Sequence, residues 1–380
     1  MRIAVVHSYY SSAMPSGENI AVNLQVDALR TAGHRVLLVS RSTDDAARRR
    51  GSAIRAAATV TTGLGPSPQP QLVEFRPDVV HVHNLFPNFG TSWIPDCPAP
   101  IVATLHNFRA FCSAGTLWRD GHDCEECLTA GSLRSVAHRC YRHSPAATVP
   151  LAVATRDHGR ANPILRHAAA LVTLAPRSRS TFAGARPDLE HRLRVVPNFA
   201  TDGGPAPAPH PGAPWLFVGR LEAGKGIDGL IERWPDSEEL VVVGTGPMAV
   251  ELEQSAAHKN IRFVGQVGRE RVDQLLADCR ALVFPSRWRE SAPALAYVEA
   301  LAAGRPALAI GTNAVADDVA TAHTGVAIDD FTTLAAGMAS VTAHLAETSA
   351  IARRRFEDEY SQQAWLRRIS EVYRSVTVPR

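Results

Sequence analysis

No stretch of this sequence reaches the roughly 18 consecutive apolar residues that a membrane-spanning helix needs. The opening "MRIAVVHSYY" has one Arg, a short apolar run and no small-residue cleavage site, so it reads as a first strand and not as a signal peptide. An excess of charge of one sign is also missing. With 40 Lys and Arg against 37 Asp and Glu the net charge is +3, too little to argue for a nucleic-acid partner. There is no long biased tract, and 45% apolar with 20% charged residues is the composition of a soluble globular protein, whose default location is the cytoplasm. Two short basic clusters, Arg48–Arg50 and Arg353–Arg355, read as solvated helix faces. Weak contact of the first with the inner face of a membrane stays open as an alternative.

What is present is length and rhythm. A chain of 380 residues exceeds the size at which one hydrophobic core keeps growing, so about two domains are expected. "RIAVVH", "HRVLLVS", "DVVHVHN", "IVATLHN" and "ALVTLAP" are short apolar runs separated by helical patterns such as "ENIAVNLQVDALRTAG". That alternation predicts βαβ units and a parallel sheet. The pattern stops at the Pro- and Gly-rich "TDGGPAPAPHPGAP", residues 201–214, and restarts with "WLFVGR", "ELVVVG", "IRFVG", "ALVFPS", "RPALAI" and "GVAI". Two doubly wound α/β domains in tandem follow, over residues 1–200 and 215–355 with 201–214 as linker. The last segment, 356–380, contains "AWLRRISEVYRS", which places Trp365, Ile369, Val372 and Tyr373 on one helical face that must pack on something.

In open parallel sheets ligands bind at the carboxyl ends of the strands, where loops lead into helix N-termini that attract anions. The loops should therefore hold the chemistry. "HSYYSSAMPSGEN" carries Gly17 just before a helix, and "LEAGKGIDG" follows a strand and lies just beyond Arg220, with Lys225 inside it. "ESAPALAYVEALAAGRP" sets Glu290 and Glu299 around a helix start that Pro293 is expected to open. Cations on one loop with carboxylates on another suit a diphosphate joined to polyols. Arg220 and Lys225 alone would read as a solvated loop, His106 as a strand-end histidine bound to backbone, and His81 and His83 as core. "GTGP" at 244–247 is a very weak dinucleotide signal, because no third glycine follows.

Together, "FVGRLEAGKGID", "VVVGTGP", "IRFVGQV", "DCRALVFPSRWRESAPALAYVEALAAGRPALA" and, earlier, "SGEN", "TAGHRV", "DVVHVHN", "TLHN" and "VVPNFA" resemble the retaining glycosyltransferases of family 4. The resemblance runs in order over nearly the whole chain. It implies the GT-B fold: two Rossmann-like domains facing across a cleft, with a C-terminal helix crossing back to the first. It also implies a nucleotide-sugar donor, UDP- or GDP-linked, held mostly by the second domain, and an acceptor held mostly by the first. By the same resemblance Arg220 and Lys225 bind the donor diphosphate, Glu299 accepts from the ribose hydroxyls and Glu290 contacts the transferred sugar. His106 sits beside that sugar, and Gly17 faces the diphosphate. Gly219, Gly244 and Val267 lie in the matching donor loops. The family spaces its two glutamates eight apart, whereas Glu290 and Glu299 are nine apart; with Pro293 opening the helix the extra residue lies between it and Glu299, and either the entry turn absorbs it or Glu290 is displaced and sugar recognition differs.

No Asp-x-Asp motif is present to hold a metal on a nucleotide sugar, so the expectation is a metal-independent reaction in which Arg220 and Lys225 do that work. The resemblance implies front-side attack with retention, the departing phosphate taking the acceptor's proton. The sugar would be hexose-type, and the acceptor a small molecule, a glycan or a lipid of the cell envelope, or a specialised metabolite. Cys112, Cys124, Cys127 and Cys140 fall as C-x11-C-x2-C-x12-C in a segment of about 112–140 without an obvious strand or long helix. That spacing makes them candidate ligands of a structural zinc, with free thiols the competing reading. Cys97 and Cys279 read as ordinary buried thiols. A nucleotide-sugar epimerase of the same fold and a zinc-dependent binding module stay open as alternative functions.

Overall fold

The computed structural model describes residues 1–10, 12, 16–48, 50–204 and 206–377. The chain divides into two compact units, one made of Met1–Arg119, Cys124–Pro197 and Leu366–Arg380, the other of Asp120–Asp123 and Asn198–Trp365.

In the first unit the uninterrupted apolar runs become β1 (Arg2–Tyr9), β2 (Arg35–Ser42), β3 (Val79–Asn84) and β4 (Ile101–Leu105). The two-residue strand β5 (Trp118–Arg119) follows, then, past the two-residue strand β6 (His122–Asp123) that is grouped with the second unit, β7 (Ala170–Thr173) and β8 (Leu193–Val195). A six-stranded parallel sheet runs β2-β1-β3-β4-β7-β8. β8 was not among the expected strands. It has three residues, with exposed Arg194 in the middle, too short and too polar to register as an apolar run.

The second sheet is built from β9 (Trp215–Val218), β10 (Leu240–Val243), β11 (Ile261–Gly265), β12 (Ala281–Phe284), β13 (Ala307–Ile310) and β14 (Gly325–Ile328). Its order is β11-β10-β9-β12-β13-β14, all parallel. Successive side chains of a strand point to opposite faces. Accordingly Leu216, Val241, Leu282 and Ala309 pack into one core cluster, and Phe217, Val242, Val283 and Leu308 into another. Burial on both faces is why these strands read as continuous apolar runs rather than as an alternation.

The terminal helix Gln362–Val376 buries Trp365, Ile369, Val372 and Tyr373. Trp365 lies 5.2 Å from the ring of Phe199. Tyr373, within the first unit, shares a 2.7 Å hydrogen bond between its hydroxyl and His81 Nδ1 on β3. The basic cluster before this helix is not the solvated face its composition suggested. Arg353 bridges Asp202 and Glu357, and Arg355 pairs with Asp318, each partly buried. The first cluster lies partly outside the described residues, at Arg49.

Candidate functional site

In each sheet the strand order reverses about one pair, β1 with β3 in the first unit and β9 with β12 in the second. At such a reversal the connections leave to opposite faces and open a crevice at the carboxyl ends.

In the second unit the loop after β9 carries Gly219, Arg220 and Lys225, and the loop after β12 carries Glu290. Lys225 Nζ donates to Glu290 Oε1 at 2.6 Å, and Ser286 Oγ donates to the same oxygen at 2.8 Å. Both members of this pair are 16% exposed, so little water screens them. Arg220 pairs with Glu222 at 2.9 Å. The ring of Trp288 underlies both cations, 5.6 Å from the Arg220 guanidinium and 5.0 Å from Lys225 Nζ. Such contacts hold the cations in place while leaving their charge available. Gly224 permits this approach, since a Cβ there would lie 1.8 Å from the indole nitrogen of Trp288.

Gly244 begins the next loop, with φ 139 and a hypothetical Cβ only 1.9 Å from Gly219 O. Only glycine lets these two loop starts lie side by side, and Leu221 N donates to Thr245 O at 3.0 Å across them. Val267, after β11, is half-buried against the core and lends the site a wall rather than a polar group.

The helix with Glu299 runs Leu295–Ala302, with Ala294 at its N-cap. Pro293 therefore precedes the helix and does not open it. The ten residues from 285 to 294 are irregular, and Glu290 sits among them in the left-handed region at φ 46. Glu290 is thus carried by this entry loop and Glu299 by the helix. Each carboxylate has its own cation: Lys225 for Glu290, and Arg269 for Glu299. Burial pushes the Glu299 carboxyl above its usual range, and Arg269 opposes that shift.

In the first unit four histidines gather where β1, β3 and β4 end. His83 Nδ1 and His106 Nε2 are 2.9 Å apart, and the His81 and His83 rings are 4.1 Å apart. His81 Nε2 also meets Thr104 Oγ1 at 2.7 Å, and His7 Nε2 meets Asn19 Oδ1 at 3.0 Å. Burial lowers His7 to about 4 and His81 and His106 to about 3. His83 is held well below the usual range, by burial first and then by its histidine neighbours. All four are neutral imidazoles at pH 7. Gly17 is the first residue of the helix Gly17–Thr31, capped by Ser16; the preceding Ser11, Ala13, Met14 and Pro15 lie outside the described residues.

A cavity of ≈ 180 Å³ adjoins His83 and His106, with Glu18, Asn84 and Arg109 in its lining. Burial pushes the Glu18 carboxyl up to about 8 despite the neighbouring Arg109, Asn84 and Tyr10. The Arg109 guanidinium lies 4.6 Å from the Phe86 ring centroid and donates to Ser113 O at 3.0 Å.

None of the six cysteines is in a disulfide; Cys112 and Cys279 are buried, while Cys97 is only half-buried. The Cys127 thiol is pushed up to about 12, by burial first and then by the nearby Cys112, Cys140 and Cys124. Among the described residues, no three His, Cys, Asp or Glu side chains are arranged to hold a metal ion. The segment contains more regular structure than expected: β5, β6 and the four-residue helices Glu126–Thr129 and Arg134–Ala137.

His106 and Gly17 thus belong to the first unit, and Gly219, Arg220, Lys225, Gly244, Val267, Glu290 and Glu299 to the second. Sequence reasoning missed Trp288, Ser286, Glu222 and Arg269 in the second unit, and Glu18 and Arg109 in the first. "SRWRE" did carry a signal, an aromatic between two arginines beside Glu290. Glu18 stood one place beyond the Gly17 that was singled out.

Residues 214–344 match the family model described as glycosyl transferases group 1. The chain is 31% identical over 157 residues to the D-rhamnosyltransferase WbpZ of Pseudomonas aeruginosa; the match takes in 37% of this chain, which spans about two fifths of the relative (41%). Solved structures agree over far more of the length. Sucrose-phosphate synthase from Thermosynechococcus elongatus superposes with TM-score 0.68 at 18% identity, covering 98% of each chain. HepE of Anabaena, in complex with UDP and glucose, gives 0.65 at 15% identity over 99% of this chain and 100% of the other. WaaG, a glycosyltransferase involved in lipopolysaccharide biosynthesis, gives 0.63 at 17% identity over 99% and 100%. The fold is therefore GT-B, two Rossmann-like units in one chain.

Proposed function

We propose that the protein is a retaining glycosyltransferase of family 4, moving a hexose-type sugar from a nucleotide-diphosphate sugar to an acceptor by a metal-independent, front-side reaction in the cytoplasm. The observation that carries this reading is the Lys225–Glu290 contact over Trp288, which joins the β9 and β12 loops at the reversal point of the unit that matches the family model. A diphosphate entering there would exchange carboxylate partners for phosphate oxygens on Lys225 and Arg220. Glu290, released from Lys225, would be left to accept from sugar hydroxyls, and Glu299 from ribose. Each charge-assisted contact is worth roughly 1.5–3 kcal/mol, more where it strengthens as the leaving phosphate gains charge. His106, a neutral imidazole, would orient the sugar or acceptor by hydrogen bonding, since a group with its proton affinity lowered this far is a poor base at pH 7. The acceptor would be held by the first unit.

Thermal unfolding with UDP, GDP, ADP and dTDP tests the donor site. One nucleotide should stabilise the protein, by about 2.7 kcal/mol at 100 times its dissociation constant, and Lys225→Ala should abolish most of that gain. If every nucleotide leaves the transition of a folded sample unmoved, the reading falls.

The four-cysteine segment is proposed as a structural zinc site on the chemistry of its donors, four thiols of which three act on Cys127. Binding would have to draw these side chains inward and deprotonate them. Elemental analysis should find about one zinc per chain, lost together with stability in Cys124→Ser. Metal-free protein with all four thiols titratable in the native state contradicts the assignment.

A further inference from the structure

The cavity in the first unit lies at that sheet's reversal point, reached by Glu18 in the first turn of the helix Gly17–Thr31, the end of β3 and the segment after β4. Its lining is unevenly distributed. Val60, Leu85, Phe89, Leu151, Ala154 and Ile164 supply apolar wall, while Glu18, His83, Asn84 and Arg109 supply polar atoms. Four of those atoms are buried with no hydrogen-bond partner: Glu18 Oε1, His83 Nε2, Asn84 Nδ2 and Arg109 Nε. Native proteins rarely leave such atoms unsatisfied, and several around one cavity point to a ligand that completes them.

Their chemistry selects the ligand. Asn84 Nδ2 and Arg109 Nε can only donate, whereas a carboxyl oxygen of Glu18 accepts. A hydroxyl both donates and accepts and so answers every one of these atoms, whichever way the Glu18 carboxyl carries its proton; a carboxylate would bring a full charge beside apolar wall with one cation near it, Arg109, which already donates to Ser113 O and lies over Phe86. The rest of the lining is mixed, but its polar side chains are largely engaged already, Thr104 with His81, Asn107 with Arg109 N, Thr155 with Leu151 O and Asn162 with Ile164 N, which leaves few partners for the several hydroxyls of a free sugar. Size agrees, since an apolar cavity of about 150 Å³ accommodates one benzene ring.

We propose that this cavity binds the acceptor, and that the acceptor's inserted end is a compact apolar ring bearing a hydroxyl, of the phenol class. The assignment to an acceptor rests on the glycosyltransferase reading above; the ring-and-hydroxyl chemistry rests on the cavity alone. Glu18, Asn84 and Arg109 would read the hydroxyl, and the apolar wall would hold the ring.

Ligand-detected NMR titrations with 4-methylphenol, toluene, 4-methylbenzoate and glucose as probes test it. We expect 4-methylphenol to bind at least tenfold more tightly than each of the other three. Ala154→Phe, which fills the apolar wall, should abolish that binding while leaving nucleotide stabilisation at the second unit intact. Glu18→Ala, which truncates the polar end, should bring 4-methylphenol down to the level of toluene. Equal or tighter binding of glucose or 4-methylbenzoate overturns the proposal, as does 4-methylphenol binding that survives Ala154→Phe unchanged. If nucleotides stabilise the protein and 4-methylphenol does not bind, the cavity assignment alone fails. If 4-methylphenol binds as expected and no nucleotide does, the transfer reading fails and the ring-and-hydroxyl site stands.

Discussion

Glu290 is held in a conformation that its own backbone disfavours. At φ 46 its Cβ crowds the following carbonyl, and the position persists because Lys225 and Ser286 both bind the same carboxylate oxygen. Strained residues of this kind concentrate where geometry matters to ligands. The strain can be separated from the side chain. Glu290→Ala and Glu290→Gly both remove the carboxylate, but glycine tolerates the left-handed region and alanine does not. Glu290→Gly should therefore be the more stable variant by about 0.5–1 kcal/mol in chemical denaturation, the left-handed penalty set against glycine's greater chain entropy. An alanine variant of equal or greater stability would show that the loop relaxes once its carboxylate is gone. None of this was legible in the chain. Arg220, Lys225, Glu290 and Glu299 stand out by residue type and motif, but that Lys225 grips Glu290 across 65 positions follows from strand order, which apolar runs do not reveal.

At the scale of elements, the strand runs were readable because both faces of each sheet are buried, and β8 was not, because it is three residues long with a solvated arginine. Pro293 misled in the same way. A proline near a helix start suits the first turn, yet here it closes the irregular entry loop, and the helix begins two residues later. The ends of β1, β3 and β4 combine into a feature no single run announces, four buried neutral histidines. Because their affinity for protons is lowered on folding, the unfolded chain binds more protons below its histidine pKa of about 6.5. Stability should be full above that value and fall as pH drops toward 4 to 3. Glu18 acts in the opposite sense, since its carboxyl is raised to about 8 and its contribution to stability declines as pH rises from 4.5 through that value. With four histidines against one carboxyl, denaturant midpoints should fall between pH 7.5 and 5.5. Glu18→Gln should make the fall steeper. A midpoint that rises on acidification would mean that the histidines are not buried neutral.

For the molecule as a whole, two α/β units were legible from a strand rhythm that stops in a Pro- and Gly-rich stretch and restarts. The residues of the C-terminal helix announced only an apolar face in need of a partner, while the family resemblance implied its return to the first domain; Tyr373 on His81 is such a contact within the first unit. Nothing in the described residues is a helix long and apolar enough to cross a membrane. The central claim is that the second unit presents a nucleotide sugar for transfer, using Arg220 and Lys225 where other enzymes use a metal. Time-resolved proton NMR of a mixture of UDP-, GDP-, ADP- and dTDP-linked hexoses, with chelator present and water as the default acceptor, tests this most directly. The account predicts that one donor is consumed, that the released sugar first appears with the donor's anomeric configuration, and that Arg220→Ala slows consumption by about 10²-fold, the usual scale for losing a transition-state electrostatic contact. Consumption that stops when metal is chelated, an inverted first product, or no consumption of any donor by folded protein would contradict it.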